Sequence, residues 1–373
     1  MSVAQAVKLA KVNVFPMYPI TPATHIAEEI SKMVANGEIN TEVITVESEH
    51  SALSAAMGSI ASGARTFTTT SSQGLALMFE ILPIISGNRL PMVMAVANRA
   101  LSAPINIWND HSDAVSCRDQ GWIQLWVESS QEALDATIQA FKISEDLSVQ
   151  LPVMVNLDGF TLSHVFEPVD VPEQKKVDSF LPEFAPVNIL DPKNPKTFGP
   201  IAFPNVYMEF RKDLDDAMLA SEAVIEKANK DFAKIFNRSY GDGLLDLYKM
   251  EDAEFAIIGM GSLCGTARSV IDKLRKEKKK VGLIRLRTLR PFPKARLLKA
   301  CKNLKALAVI DRHVSYGFEG PLLTDVRSAF FEEKKRPFIN GFIAGLGGRD
   351  ITEQHLQKAL ELAMQEKQGE WLF

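Results

Sequence analysis

Two carboxylates, Glu47 and Glu49, stand in ITVESEHSALSAAMGS, where a β-branched run gives way to small residues. A carboxylate there could hold a proton against a ligand in the crevice where open α/β sheets bind cofactors. The same acids would also suit an ordinary helix start, which the helix dipole favours. Thr21, in MYPITPATHIAEEI, is bracketed by Pro19 and Pro22, which restrict its backbone on both sides. A hydroxyl held in that way can hydrogen-bond a ligand, and Thr24 reads as the N-cap of the helix that follows. Arg99 comes directly after the apolar run MVMAVA. A guanidinium at a strand end can grip a carboxylate or phosphate with two prongs, or form a structural ion pair. In INIWNDHSDAVSCRDQGWIQLW, the residues Asn109, Asp110, His111, Asp113, Arg118 and Asp119 lie between Trp108 and Trp122. One histidine among acids is a poor metal set. The stretch reads as a hydrogen-bonded active-site or interface loop, and no metal ligand is assigned.

These side chains need a scaffold, and the chain alternates to provide one. TEVITV, TFTTTSS, RLPMVMAVAN and LPVMVNLDGF read as strands, the third apolar enough to be buried on both faces. QEALDATIQAFKISED reads as a helix, with Ala133, Leu134, Ile138, Phe141 and Ile143 at helical spacing. This βαβ rhythm predicts a mainly parallel sheet with helices on its faces. Eight of the 19 prolines then fall between Pro168 and Pro204, which favours an extended connector. A long polar helix follows, from about Val206 to Phe236. The alternation restarts with EFAIIGMGS, the helix GTARSVIDKLRKEKKK, VGLIRLRTL, ALAVID and FINGFIAG, and closes on the helix EQHLQKALELAMQEK. The expected organisation is a first α/β domain over 1–165, a connector with its long helix over 166–250, and a second α/β domain over 251–373.

Composition excludes several classes. The formal net charge is −4, which gives no reason to expect nucleic-acid binding. No apolar run approaches membrane-spanning length, and the first residues lack a signal-peptide core, so a cytoplasmic protein is expected. The three cysteines, Cys117, Cys264 and Cys301, form no Cys-x-x-Cys pair. They support neither a disulfide framework nor a self-contained four-cysteine cluster. There is no P-loop, no Gly-x-Gly-x-x-Gly after a strand and no Gly-x-Ser-x-Gly elbow.

Taken in order, YPITP, ESEHSA, TTTSSQGLALM, RLPMVMAVANRALSAPINIWNDHSD, RDQGWIQ, SSQEALD, LPVMVNLDGF, LRPFP and GLGGRD span nearly the whole chain. The set resembles the α subunit of the 2-oxoacid:ferredoxin oxidoreductases, most of all the pyruvate form. The resemblance implies a pyrimidine-type thiamine-diphosphate domain followed by a transketolase C-terminal-like domain. It assigns Glu49 to the cofactor's aminopyrimidine ring, where that family uses a glutamate to promote cofactor activation; Glu47 has the weaker claim. It places Thr21 and Arg99 on the substrate side, Arg99 toward the 2-oxoacid carboxylate. The Gly-Asp-Gly at 241–243 echoes the motif that holds diphosphate and magnesium, but the next helix offers no asparagine, so it reads as a turn. The resemblance therefore implies that Mg2+ and the [4Fe-4S] clusters sit on partner subunits, with thiamine diphosphate shared with a β subunit and γ and δ subunits completing the complex. Pyruvate, coenzyme A and ferredoxin are the implied reactants. The same machinery for branched-chain 2-oxoacids is the alternative, and a non-catalytic scaffold subunit is a more distant one.

Overall fold

The computed structural model describes residues 1–373 and is built on two sheets. The first contains β1 (Val14–Met17), β2 (Glu42–Thr45), β3 (Phe67–Thr70), β4 (Val93–Asn98), β5 (Ile123–Trp126) and β6 (Val153–Asp158). Strand β1 pairs in parallel with β2, and a parallel bridge from Val14 to Thr66 joins that pair to β3. The run continues in parallel through β4 and β6 to β5. Because these strands are parallel, all of their carboxyl ends emerge along one edge.

Strands β4 and β6 are buried along their whole length. Alternation along β4 sends Val93, Ala95 and Ala97 into one core with the helices Ser2–Leu9 and Ser130–Ser144. Met94 and Val96 face the other core, against Ala52, Leu53 and Ala56 of the helix Glu49–Ala61. The small residues after Glu49 thus let that helix lie close against the sheet.

The proline-dense segment is irregular apart from the short helix Gln174–Phe180, and the long helix spans Tyr207–Phe236. Gly-Asp-Gly is a turn: Gly241 and Gly243 have φ of +53° and +99°, and the Asp242 carboxylate accepts from the Leu244 and Leu245 N–H groups.

The second sheet holds β7 (Leu245–Tyr248), β8 (Phe255–Gly259), β9 (Val281–Leu286), β11 (Ala306–Asp311), β12 (Phe338–Ala344) and β13 (Trp371–Leu372). It is parallel except for β7 against β9. VGLIRLRTL, expected as one strand, is two. The chain leaves β9 at Arg287, and β10 (Thr288–Arg290) crosses to pair antiparallel with β5 of the first sheet. A buried ion cluster braces the crossing. Arg285 and Arg287 are fully buried on either side of the fully buried Glu132, whose carboxylate takes Arg287 Nε at 2.9 Å and Arg285 Nη2. Burial raises the pKa of Glu132, but the two guanidiniums outweigh it and hold the carboxyl below its usual range. The crossing rivets the two sheets together.

A second local expectation is corrected. Thr24 does not cap its helix; Ala23 occupies that place with no side-chain cap. The chain is already wound there, with Ala23 N–H bonded to the Ile20 carbonyl at 2.9 Å, so Thr24 lies inside the helix.

Candidate functional site

Four consecutive strand ends build the site: Thr21 follows β1, Glu49 follows β2, Ser71 to Gly74 follow β3 and Arg99 follows β4.

The two glutamates part company. Ser48 caps the helix by accepting from Ser51 N–H, which turns Glu49 inward to 7% exposure. Glu47 is exposed and accepts from the Ser51 hydroxyl; that bond lowers its carboxyl pKa. Glu49 lies in a cradle made by β3 and the turn after it. A Cβ at Gly74 would lie 2.5 Å from Thr70 Oγ1, 2.7 Å from Glu49 Oε1 and 2.8 Å from Glu49 Cγ. Glycine is what lets the carboxyl occupy that space. Thr70 Oγ1 and Ser71 Oγ are fully buried and have no hydrogen-bond partner within the chain. Buried hydroxyls are ordinarily satisfied, and Thr70 Oγ1 shares the space above Gly74 with the Glu49 carboxyl, so an orphan there marks a place where a polar ligand completes the bonding. That donor and acceptor set suits a nitrogen heterocycle such as an aminopyrimidine.

Thr21 and Arg99 are joined directly. Arg99 Nη1 donates to the Thr21 carbonyl at 2.9 Å, and Nε donates to the Asn106 carbonyl at 3.0 Å. The remaining donors on the two Nη nitrogens form no bond within the chain. Burial lowers the Arg99 pKa and the nearby Asp113 opposes this; the group remains a cation at neutral pH. Pro22 is buried against Gly159 at the end of β6, while Thr21 itself is exposed at the edge.

The NDHSD stretch serves both the site and the contact with the second sheet, and its carboxylates and histidine diverge. Asp110 accepts from Ser112 N–H at 2.9 Å and from Gly347 N–H at 3.3 Å. His111 turns to Asp158 Oδ1 at 2.9 Å. Asp113 accepts from the backbone N–H groups of Ser72 (2.9 Å) and Arg99 (3.0 Å) and from Asn98 Nδ2 (2.9 Å). No three metal-ligating side chains in the chain converge.

Asp158, at the end of β6, was not anticipated. It binds His111, Arg312 Nη1 at 2.9 Å and Ser262 N–H at 2.9 Å, tying the first sheet's edge to the second. Burial pushes its pKa up, but Arg312 and His111 win and hold it far below the usual range. Thr70, Ser71 and Gly74 were missed as site residues too. The hydroxyl-rich TTTSSQG, running from a strand into a glycine, was the available signal.

The comparisons agree on the family. Residues 5–230 match the model for pyruvate flavodoxin/ferredoxin oxidoreductase, thiamine-diphosphate-binding. Residues 253–356 match that for pyruvate:ferredoxin oxidoreductase core domain II. The chain is 50% identical over 357 residues to pyruvate synthase subunit PorA of Methanothermobacter thermautotrophicus, covering 96% of this chain and 92% of the relative. It is 42% identical to the ketoisovalerate oxidoreductase subunit VorA of Pyrococcus horikoshii, covering 99% and 95%. It shares a fold with the 2-oxoglutarate:ferredoxin oxidoreductase of Magnetococcus marinus, solved with 2-oxoglutarate, coenzyme A and succinyl-CoA bound. The TM-score is 0.72 at 19% identity, over 98% of this chain and 64% of that one.

Proposed function

The chain belongs to the pyruvate flavodoxin/ferredoxin oxidoreductase family, and on that premise we propose that it is the α subunit of a pyruvate:ferredoxin oxidoreductase. The complex converts pyruvate and coenzyme A to acetyl-CoA and CO2, reversibly, and passes the electrons to ferredoxin. The observation that carries this reading is the buried Glu49 carboxyl sharing the space above Gly74 with the unpartnered hydroxyl of Thr70.

Thiamine diphosphate, when bound, supplies the electron sink that decarboxylation of a 2-oxoacid requires. Glu49, Thr70 and Ser71 would hold its aminopyrimidine. Glu49 would share a proton with one of its ring nitrogens, the task of a general acid–base carboxyl. Arg99 presents its Nη donors to the 2-oxoacid carboxylate and Thr21 its hydroxyl to the substrate oxygens. The Arg99–Thr21 bond fixes the two together. Diphosphate and Mg2+ ligands and the [4Fe-4S] clusters belong to the β, γ and δ partner subunits, since this chain has neither the motif nor the cysteines for them. The sequence reading of its parts is retained as a proposal: 1–165 for the cofactor domain, 166–250 for the connector, whose end supplies β7 to the second sheet, and 251–373 for the second domain. The complex is cytoplasmic, with no role for membrane or nucleic acid; no helix of the chain is long and apolar enough to cross a membrane.

The test is coenzyme-A-dependent dye reduction by the purified complex with pyruvate, 2-oxoisovalerate and 2-oxoglutarate. Preference for pyruvate is expected. Preference for 2-oxoisovalerate would move the substrate to the branched-chain class, and no reduction with any of the three would overturn the reading.

A further inference from the structure

The buried carboxylate of Asp113 reaches across the site from the short helix Ser112–Ser116 between β4 and β5. Its Oδ2 accepts the backbone N–H groups of Ser72 and Arg99; its Oδ1 accepts Asn98 Nδ2 at 2.9 Å and its neighbour Ala114 N–H at 2.7 Å. Both backbone donors on Oδ2 belong to residues just beyond a strand end. Ser72 also has φ of +48°, in the left-handed region that a serine rarely adopts, and its hydroxyl donates to the Ala100 carbonyl at 2.6 Å. That turn leads into Gly74, against which Glu49 lies. Arg99 is therefore held at both ends, its backbone by Asp113 and its guanidinium by the carbonyls of Thr21 and Asn106.

We infer that Asp113 is a positioning residue for this reaction: it clamps the turn after β3 to the end of β4 and so sets where the Arg99 guanidinium meets the 2-oxoacid carboxylate. The inference rests on the assignment of Arg99 given above. Burial raises the Asp113 pKa, and the bonds from Asn98, Arg99, Ser72 and Ala114 only partly offset it. An amide cannot take its place without penalty. Each carboxylate oxygen faces two donors, so an amide nitrogen would face donors whichever way it turned.

The assembled complex is assayed as Asp113→Asn, Asp113→Glu, Asn98→Ala, Arg99→Lys and the double variant R99K/D113N. Asp113→Asn should raise KM for the 2-oxoacid on the order of tenfold or more, with KM for coenzyme A within about twofold. Asp113→Glu, which restores an acceptor, should recover part of the loss. Asn98→Ala, which leaves both bonds to Oδ2, should keep the oxoacid KM. The double variant should be no worse than Arg99→Lys, because the two residues act as one unit. If Arg99→Lys leaves the oxoacid KM unchanged, the assignment of Arg99 falls and takes this inference with it. If Arg99→Lys raises KM but Asp113→Asn does not, or raises both KM values alike, only the positioning role falls. If neither Asp113 variant assembles, Asp113 is a folding residue and the inference is overturned.

Discussion

Gly74→Ala places one methyl group against the carboxyl of Glu49. The new Cβ would lie 2.7 Å from Glu49 Oε1 and 2.5 Å from Thr70 Oγ1, while ordinary contact begins at 3.4 Å. Oε1 must therefore retreat by about 0.7 Å. Glu49 Cγ, at 2.8 Å, is crowded as well, and Thr70 is short, β-branched and fully buried, so the Glu49 side chain as a whole has to shift. Overpacking costs about 1–3 kcal/mol, and alanine in a helix returns about 1 kcal/mol over glycine, leaving a net loss of roughly 0–2 kcal/mol. Misplacing a reacting group by ~1 Å can cost on the order of a hundredfold in rate, so turnover should fall by ~10- to 100-fold. The assay pairs steady-state dye reduction with thermal unfolding of the complex. Gly58→Ala is the control, because a Cβ at Gly58 meets nothing within 4 Å in the same helix as Glu49. It should leave turnover unchanged and gain about 0.5–1 kcal/mol. Wild-type turnover in Gly74→Ala would refute the claim that the Glu49 cradle is where the chemistry is set up.

Three further outcomes are expected. Glu132→Gln should destabilise the chain by about 3–5 kcal/mol, because it strips the charge between the buried Arg285 and Arg287; an unfolding midpoint near wild type would contradict this. His313→Gln should raise acid stability. Burial lowers the His313 pKa to about 4, with Asp110 opposing and His111 and Arg118 reinforcing, so wild type loses stability as pH falls from 6.5 towards 4. Removing that titration should gain about 2 kcal/mol at pH 5 relative to pH 8, read from unfolding midpoints at the two pH values. Isolated from its partners, the chain should bind thiamine diphosphate weakly by calorimetry, since the diphosphate ligands lie elsewhere; tight magnesium-dependent binding would refute that division of the site.

The strands were legible because burial on both faces leaves an uninterrupted apolar run, as in RLPMVMAVAN, and because helical spacing in QEALDATIQAFKISED differs from it. Arg99 and Glu49 could be placed at strand ends for the same reason. What escaped the sequence depends on distant partners. Asp113 bonds Ser72, 41 residues earlier, and Arg285 bonds Glu132, 153 residues earlier; no local spacing encodes either pair. VGLIRLRTL has an unbroken strand pattern, and the partners that brace its crossing at Arg287, Glu132 and the Trp126 and Leu244 backbones, are distant in sequence. Thr24 failed as a cap because the turn before it is already wound, which backbone bonding decides and residue type does not. The cradle of Thr70, Ser71 and Gly74 was hidden because hydroxyls on a strand are unremarkable until their partners are counted.

The central claim is that the Glu49 carboxyl activates the cofactor, and exchange of the thiazolium C2 proton reports on it directly. The assembled complex, with thiamine diphosphate bound, is mixed with deuterated buffer, quenched and read by NMR, for wild type, Glu49→Gln and Glu47→Gln. Glutamine nearly matches glutamate in size, so both variants should fold and assemble. Glu49→Gln should slow exchange on the order of a hundredfold or more, as expected for loss of a general acid–base group. Glu47→Gln should exchange at the wild-type rate, because that side chain is exposed and bonded to Ser51. Wild-type exchange in Glu49→Gln would contradict the account and leave Glu49 as an acid at the start of a helix.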